Sequence, residues 1–276
     1  MKNLICCFIG ILFASSMNAQ SVSLLKKYEN DSVYLSLKSN YPCNVTYVYS
    51  LKDAYKGKLR LAGEIVVPAN DTLFDAAVVP LSLVKDTASM RLADYANGKG
   101  YLGNLGDEHD DSYRYHFPFP TGKRYKIIQS FNGSFSHYEK HSKYAIDFNL
   151  KVGDTVTAAR GGVVVRVKED SKEYGGREYV DKGNRIVIMH NDGTMGDYVH
   201  LDYNGALVKV GDTIKVDQPI GISGLTGFTT GPHLHFVVMK PGSISVPIYF
   251  KGLGKKKLRK GKYYRRARPT KDHNKK

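Results

Sequence analysis

Between residue 21 and about residue 105, apolar and polar positions alternate in short runs. In Val33-Tyr34-Leu35-Ser36-Leu37-Lys38 the aliphatic side chains recur at every second position, the period of a half-buried strand. Asn44 to Tyr49 is a second β-rich run, while Glu64-Ile65-Val66-Val67 and Ala77-Val78-Val79-Pro80-Leu81 are more uniformly apolar. Breaks such as Asn30-Asp31 and Pro68-Ala69-Asn70-Asp71 separate them. Short strands at this spacing predict a small β-sandwich-like N-terminal domain over residues 20–105. It offers no catalytic constellation.

Residues 106–122 change character. Asp107-Glu108-His109-Asp110-Asp111 is acidic and is followed by Phe117-Pro118-Phe119-Pro120. The stretch reads as a linker and its docking onto a second domain. His109 reads as part of a solvated acidic loop, because nothing there fixes metal ligands in geometry.

From residue 123 to 250 strands and turns resume, with no helical period. Tyr144 to Phe148 is a strand that sets Asp147 on the face opposite Ile146 and Phe148. Gly153-Asp154-Thr155 and Gly211-Asp212-Thr213 are turns feeding strands. Asn191-Asp192-Gly193 between two β-rich runs is a hairpin signal. In Gly231-Pro232-His233-Leu234-His235-Phe236 the two histidines share one face and Leu234 takes the other. The prediction is an all-β chain whose second domain consists mostly of antiparallel hairpins.

The chain start changes the picture. Lys2, an apolar run from Leu4 to Ala14 and small residues ending at Ala19 predict a signal peptide over residues 1–19. That run is too short to span a bilayer. The mature chain is therefore expected to be exported, to a periplasm or to the cell envelope and beyond. Of the three cysteines only Cys43 follows the cleavage point, so no intramolecular disulfide is expected.

Charge is uneven. The formal net charge is +15, and residues 251–276 hold 13 Lys and Arg against one Asp. The expectation is a disordered basic tail on a nearly neutral body, available to an anionic envelope polymer or a membrane surface. For an exported chain no nucleic acid is expected.

The candidate chemistry lies in the second domain. A catalytic zinc takes three ligands from His, Asp or Glu and keeps one position open. Asp147, a histidine upstream of it, the His233/His235 pair and His200 supply such an inventory, with imidazoles left over for acid–base work. A structural zinc site would leave the spare histidines unexplained.

Ser136-His137, Tyr144-Ala145-Ile146-Asp147-Phe148, Ala158-Ala159-Arg160-Gly161-Gly162, His190-Asn191-Asp192-Gly193, Tyr198-Val199-His200-Leu201 and Gly231-Pro232-His233-Leu234-His235 occur in that order. On these motifs residues 123–250 resemble the lysostaphin-type, LytM-like zinc metallopeptidases, which cleave peptide cross-links in bacterial peptidoglycan. The resemblance implies a compact antiparallel β domain with its site in a groove across one sheet. It implies metal ligation by Asp147 and His235, with His200 and His233 acting in catalysis beside the metal, and leaves His190 structural. One departure stands out. The family commonly places its first metal-binding histidine four residues before the Asp, and Lys143 stands there. His137 and His141 remain as candidates, and a long-loop subset of the family with an upstream Ser-His pair favours His137.

The function so implied is an exported zinc metalloendopeptidase acting on peptidoglycan. The alternative is a non-catalytic peptidoglycan-binding or amidase-activating protein on the same fold. The bond cut and the oligomeric state are not legible.

Overall fold

The computed structural model describes residues 21–267. The expected signal peptide and the last residues of the chain, 268–276, lie outside the described residues. The architecture is almost entirely β, with one four-residue α-helix, Leu92–Tyr95, among the described residues.

The alternating runs of the N-terminal part form two small antiparallel sheets. One orders Val22–Glu29, Ser32–Ser39, Thr72–Pro80 and Arg60–Leu61; the other orders Glu64–Val67, Val45–Leu51 and Ala96–Leu102. Leu37 of the first sheet and Ile65 and Val67 of the second share one apolar cluster, so the two sheets bury side chains against each other.

The rest of the chain is organised on a nine-stranded sheet. Its order is Thr213–Ile214, Gly162–Lys168, Arg185–Met189, Met195–Val199, Leu234–Lys240, Ile146–Phe148, Arg124–Gln129 and Tyr263–Arg265, with Ile244–Ser245 beside Leu234–Lys240. Neighbouring strands are antiparallel. A three-stranded sheet of Thr155–Thr157, Pro219–Ser223 and Leu201–Ala206 closes over one face. Between them lies the main core, including Ile146, Phe148, Ile186, Ile188, Leu234, Phe236, Val238 and Ile220. Period two does the sorting: Leu234, Phe236 and Val238 are fully buried, so His235, Val237 and Met239 take the outer face.

Three expectations need correction or extension. Tyr115, Phe117 and Phe119 of the 106–122 stretch are members of the main core, not chain merely resting on it. The His109 side chain is 5% exposed, not solvated, and faces Asp111 at 2.8 Å and the Tyr115 hydroxyl at 3.2 Å. The basic tail is not disordered over 251–267. Tyr263–Arg265 pairs with Arg124–Gln129 as the edge strand of the large sheet. Leu258 enters the core, and the Arg266 guanidinium donates to the Phe119 carbonyl at 2.9 Å and pairs with Asp217. Apolar anchoring and one buried cation outweigh the mutual repulsion of the surrounding lysines, which keep to the surface.

The hairpin Asn191-Asp192-Gly193 forms as expected, with Gly193 at φ 77°, where an added Cβ would meet the Asp107 side chain. The buried Arg160 locks it, reaching Asp192 at 2.7 Å and Asn191 at 2.6 Å.

Candidate metal centre and groove

Strand register assembles the site. Asp147 pairs directly with His235, His235 with Val199 on the other side, and Gln129 with Asp147. The outer face of the sheet therefore carries Gln129, Asp147, His235 and Val199 in one row. Chain neighbours of Val199 and His235 add His200 and His233.

The loop of residues 131–143 brings the remaining imidazole. The loop closes on itself, with the Asn132 N–H donating to the Lys143 carbonyl at 2.8 Å and the His137 N–H to the Gly133 carbonyl at 2.9 Å. His137 ends up fully buried, with Nε2 3.2 Å from Asp147 Oδ1 and 3.3 Å from His235 Nδ1. His235 Nδ1 lies 2.9 Å from the same carboxylate oxygen. Of the two upstream candidates, then, the structure brings His137 to the cluster. His141 stays outside it, 57% exposed and facing Glu139 at 3.4 Å, and Lys143 is exposed.

The proton inventory of this cluster favours a cation. His137 Nδ1 faces the Ser130 carbonyl at 3.1 Å, and a carbonyl only accepts, so Nδ1 carries the proton and Nε2 presents a lone pair. That lone pair, a carboxylate oxygen and a nitrogen of His235 converge, with donor atoms all within 4.8 Å of one another. Three electron-rich atoms in a buried space repel one another unless a positive charge sits among them. Two imidazoles and a carboxylate are the donor set zinc takes, so the residues fit that ion. The outer contacts fit as well: Asp147 Oδ2 accepts from Gln129 Nε2 at 3.0 Å, leaving Oδ1 for the cluster. Burial would raise the Asp147 pKa, but the contacts with His137 and His235, where a ring proton takes the cation's place, and then the charges of His235 and His233 hold it well below the usual carboxylate range.

His200 and His233 lie alongside, their rings 4.5 Å apart between centroids. His200 sits at φ 66° in the turn between two strands, a left-handed position few side chains adopt. Its Nδ1 donates to the Thr226 carbonyl at 2.6 Å, and His233 Nδ1 to the Gly231 carbonyl at 2.9 Å. A carbonyl thus takes Nδ1 of each ring and leaves Nε2 for the site; His233 Nε2 is 3.8 Å from Asp147 Oδ1. Burial, and then the nearby His233 and His235, push the His200 pKa well down, so it is neutral near pH 7. His190 is elsewhere, donating from Nδ1 to the Gly161 carbonyl at 2.9 Å, and burial lowers its pKa to about 4.

The cluster lies at the floor of a groove of about 800 Å³. Exposed Phe135 stacks on Phe228 with centroids 5.7 Å apart, and Arg177 lies over Phe228 and hydrogen-bonds the Tyr138 hydroxyl. Arg185, held by Asp197 at 3.1 Å, lines the floor. Sequence reasoning missed Gln129, Arg177 and Arg185. Gln129 is the instructive one, because strict alternation would send it to the core with Ile127. A bulge between Ile127 and Gln129 turns it to the groove face instead.

An antiparallel β sheet carrying a two-imidazole, one-carboxylate cluster in a groove, with two further imidazoles beside it, has the constellation of a metal-dependent hydrolase. Residues 141–247 match Peptidase family M23, and the chain carries a domain of that family, of the lysostaphin type. Lysostaphin of Staphylococcus staphylolyticus is 43% identical over 95 residues, which are 34% of this chain and 18% of lysostaphin. The peptidoglycan DD-endopeptidase ShyB of Vibrio cholerae is 29% identical over 245 residues, 83% of this chain and 51% of ShyB. The solved structure of lysostaphin from Staphylococcus simulans aligns at 34% identity and a TM-score of 0.35, covering 45% of this chain and 47% of that one. The chain thus spans about half or less of the length of these relatives.

Proposed function

We propose that the protein is an exported zinc metalloendopeptidase that hydrolyses peptide cross-links in bacterial peptidoglycan. The observation that carries the reading is the convergence of His137 Nε2, Asp147 Oδ1 and His235 Nδ1 beside two imidazoles whose Nε2 atoms are free. Peptidoglycan as the substrate is drawn from the likeness to ShyB, a peptidoglycan DD-endopeptidase.

In this reading His137, Asp147 and His235 hold the ion. When bound, Zn2+ supplies Lewis acidity toward a carbonyl and acidifies water. The chain's own residues do the rest. His200, kept neutral by burial, accepts the proton of the attacking water at Nε2, while the Thr226 carbonyl holds its Nδ1–H in place. The imidazolium so formed faces the developing oxyanion and returns the proton to the amine as the C–N bond breaks. His233, oriented by Gly231, offers Nε2 on the same side and helps to orient the water. Asp147 stays ionised throughout. The aromatic side chains Phe135, Tyr138 and Phe228 form a wall along an extended peptide, and Arg177 and Arg185 supply cations for its carboxylates.

The exposed Lys255, Lys256, Arg259, Lys262 and Arg265 are proposed to hold the enzyme on an anionic envelope polymer or membrane surface. The non-catalytic alternative was motivated by the missing histidine at position 143. The position of His137, 3.2 Å from Asp147, supports the enzyme reading over it.

The test is zinc content and fragment release from purified sacculi. The wild type is expected to bind one zinc and release muropeptides. His200→Ala and His233→Ala are expected to keep the zinc and lose roughly 10²- to 10⁴-fold in kcat. A zinc-loaded wild type that releases nothing from any sacculus would overturn the enzyme reading in favour of a binding module.

A further inference from the structure

The residues that orient His137 lie outside the stretch matched to Peptidase family M23, which runs from 141 to 247. So does His137 itself. What holds them is the C-terminal segment that the sequence presents as a charged tail.

The contacts run in sequence from that segment to the cluster. The Ser130 hydroxyl donates to the Leu258 carbonyl at 2.8 Å, and the Ser130 carbonyl accepts from His137 Nδ1 at 3.1 Å. Lys257 Nζ donates to the Phe131 carbonyl at 2.7 Å, fixing the next residue of the same loop. Beyond the loop, the Gly261 N–H donates to the Ile127 carbonyl at 2.8 Å and the Ile127 N–H to the Lys262 carbonyl at 2.9 Å. Tyr263–Arg265 then pairs along Arg124–Gln129, the strand that ends in Gln129 and its bond to Asp147. Two fixed points keep the segment taut. Leu258 is 2% exposed in the core, and Arg266 is held by the Phe119 carbonyl and Asp217.

We infer that residues 257–266 are a strap that positions His137 and Gln129 for metal binding. The strap rests on the metal reading above and extends it. Its physical logic follows from where His137 stands. A ligand four residues before Asp147 would ride close to the strand carrying the carboxylate. His137 instead hangs from a long loop, whose conformational freedom must be removed before Nε2 can meet Asp147. Ser130 and Phe131 sit at the loop's root, and the strap ties both. Without the strap, Arg124–Gln129 would be an unpaired sheet edge and its last residue, Gln129, would lose support. Ser130 and Gln129 are therefore positioning residues that act through His137 and Asp147.

The experiment measures zinc affinity of the full chain by chelator competition, beside apo stability by thermal unfolding. Ser130→Ala breaks the tie to Leu258 while keeping the carbonyl that His137 uses. Arg266→Met loosens the far anchor and carries the same comparison if Ser130→Ala fails to fold. Val33→Ala, in the N-terminal core, controls for general destabilisation. The expected result is zinc affinity weakened roughly 10-fold in the first two variants, the range found when an outer-shell partner of a ligand is lost. Val33→Ala is expected to lower the unfolding midpoint with affinity within about twofold of wild type. Wild-type affinity in Ser130→Ala and Arg266→Met, or an equal loss in Val33→Ala, would overturn the strap and leave the metal site standing. A wild type that takes up no zinc would overturn both.

Discussion

Replacing His137 by alanine takes away one of the three atoms that converge on the cluster, at 3.2 Å from Asp147 Oδ1 and 3.3 Å from His235 Nδ1. Zinc held by four ligands in small domains is worth roughly 10–16 kcal/mol near pH 7, so one imidazole contributes on the order of 3 kcal/mol, about 100-fold in affinity. Linkage converts this into stability. With free zinc at about 100 times the wild-type dissociation constant, the folded state gains about 2.7 kcal/mol. At the same free zinc, a variant whose dissociation constant is about 100-fold higher gains only RT ln 2, about 0.4 kcal/mol. The increment is the diagnostic quantity, because His137 is fully buried and its truncation also lowers apo stability by leaving a cavity. His141 is 57% exposed, and His141→Ala is expected to keep the whole increment. Urea unfolding of the wild type and both variants, with and without buffered zinc, measures it. An increment lost in His141→Ala and retained in His137→Ala would refute the assignment.

Two further outcomes follow from other parts of the chain. Burial lowers the His190 pKa from 6.5 to about 4, with the Gly161 carbonyl opposing it in part. Below pH 6.5 the unfolded chain takes up a proton that the folded chain refuses until about pH 4, so stability falls as pH drops through that window. His190 contributes about 3 kcal/mol of the fall, and His190→Phe should flatten the pH dependence by that amount in denaturant titrations; an unchanged slope between pH 6.5 and 4 would contradict it. Replacing Lys255, Lys256, Arg259 and Lys262 together by glutamine should weaken binding to anionic wall polymers and reduce its salt dependence while sparing hydrolysis of a small soluble peptide. Unaltered retention on sacculi would remove the basic face from the account.

Period two made much of the site readable. It put His233 and His235 on one face and Asp147 opposite Ile146 and Phe148, and in the structure the two histidines and Asp147 line the groove while Ile146, Phe148 and Leu234 enter the core. The register that sets Asp147 against His235 was not readable, since it pairs residues 88 apart and depends on the whole sheet. Nor could spacing separate His137 from His141, because a loop's path depends on what holds it, and here that is the distant C-terminal segment. That segment was misread because its charge outvoted a short alternation. Tyr264 and Arg266 point inward while Tyr263 and Arg265 point out, a strand pattern hidden inside a run of lysines and arginines. The bulge that re-aims Gln129 leaves no trace in composition at all.

The N-terminal sheets also bear on the groove. Along Leu234–Lys240 the outer face runs from His235 through Val237 to Met239, and all three line the groove. Met239 pairs in register with Met195, and Met195 packs in one apolar cluster with Cys43, Val165 and Val187, bordered by Tyr41 and Leu102. Cys43, Tyr41 and Leu102 come from the N-terminal sheets and the turns between them. The face that carries the metal cluster at one end is thus covered by the N-terminal part at the other. Further polar ties, Lys240 to Glu108 at 2.5 Å and the Asp110 N–H to Asp192 at 3.0 Å, hold the connecting stretch against the same region. From His235 the outer face thus runs two side-chain rows, through Val237 to Met239, before it reaches the residues packed under the N-terminal sheets. On that geometry the N-terminal part covers the sheet face beyond the groove, whose own lining begins at Ile128.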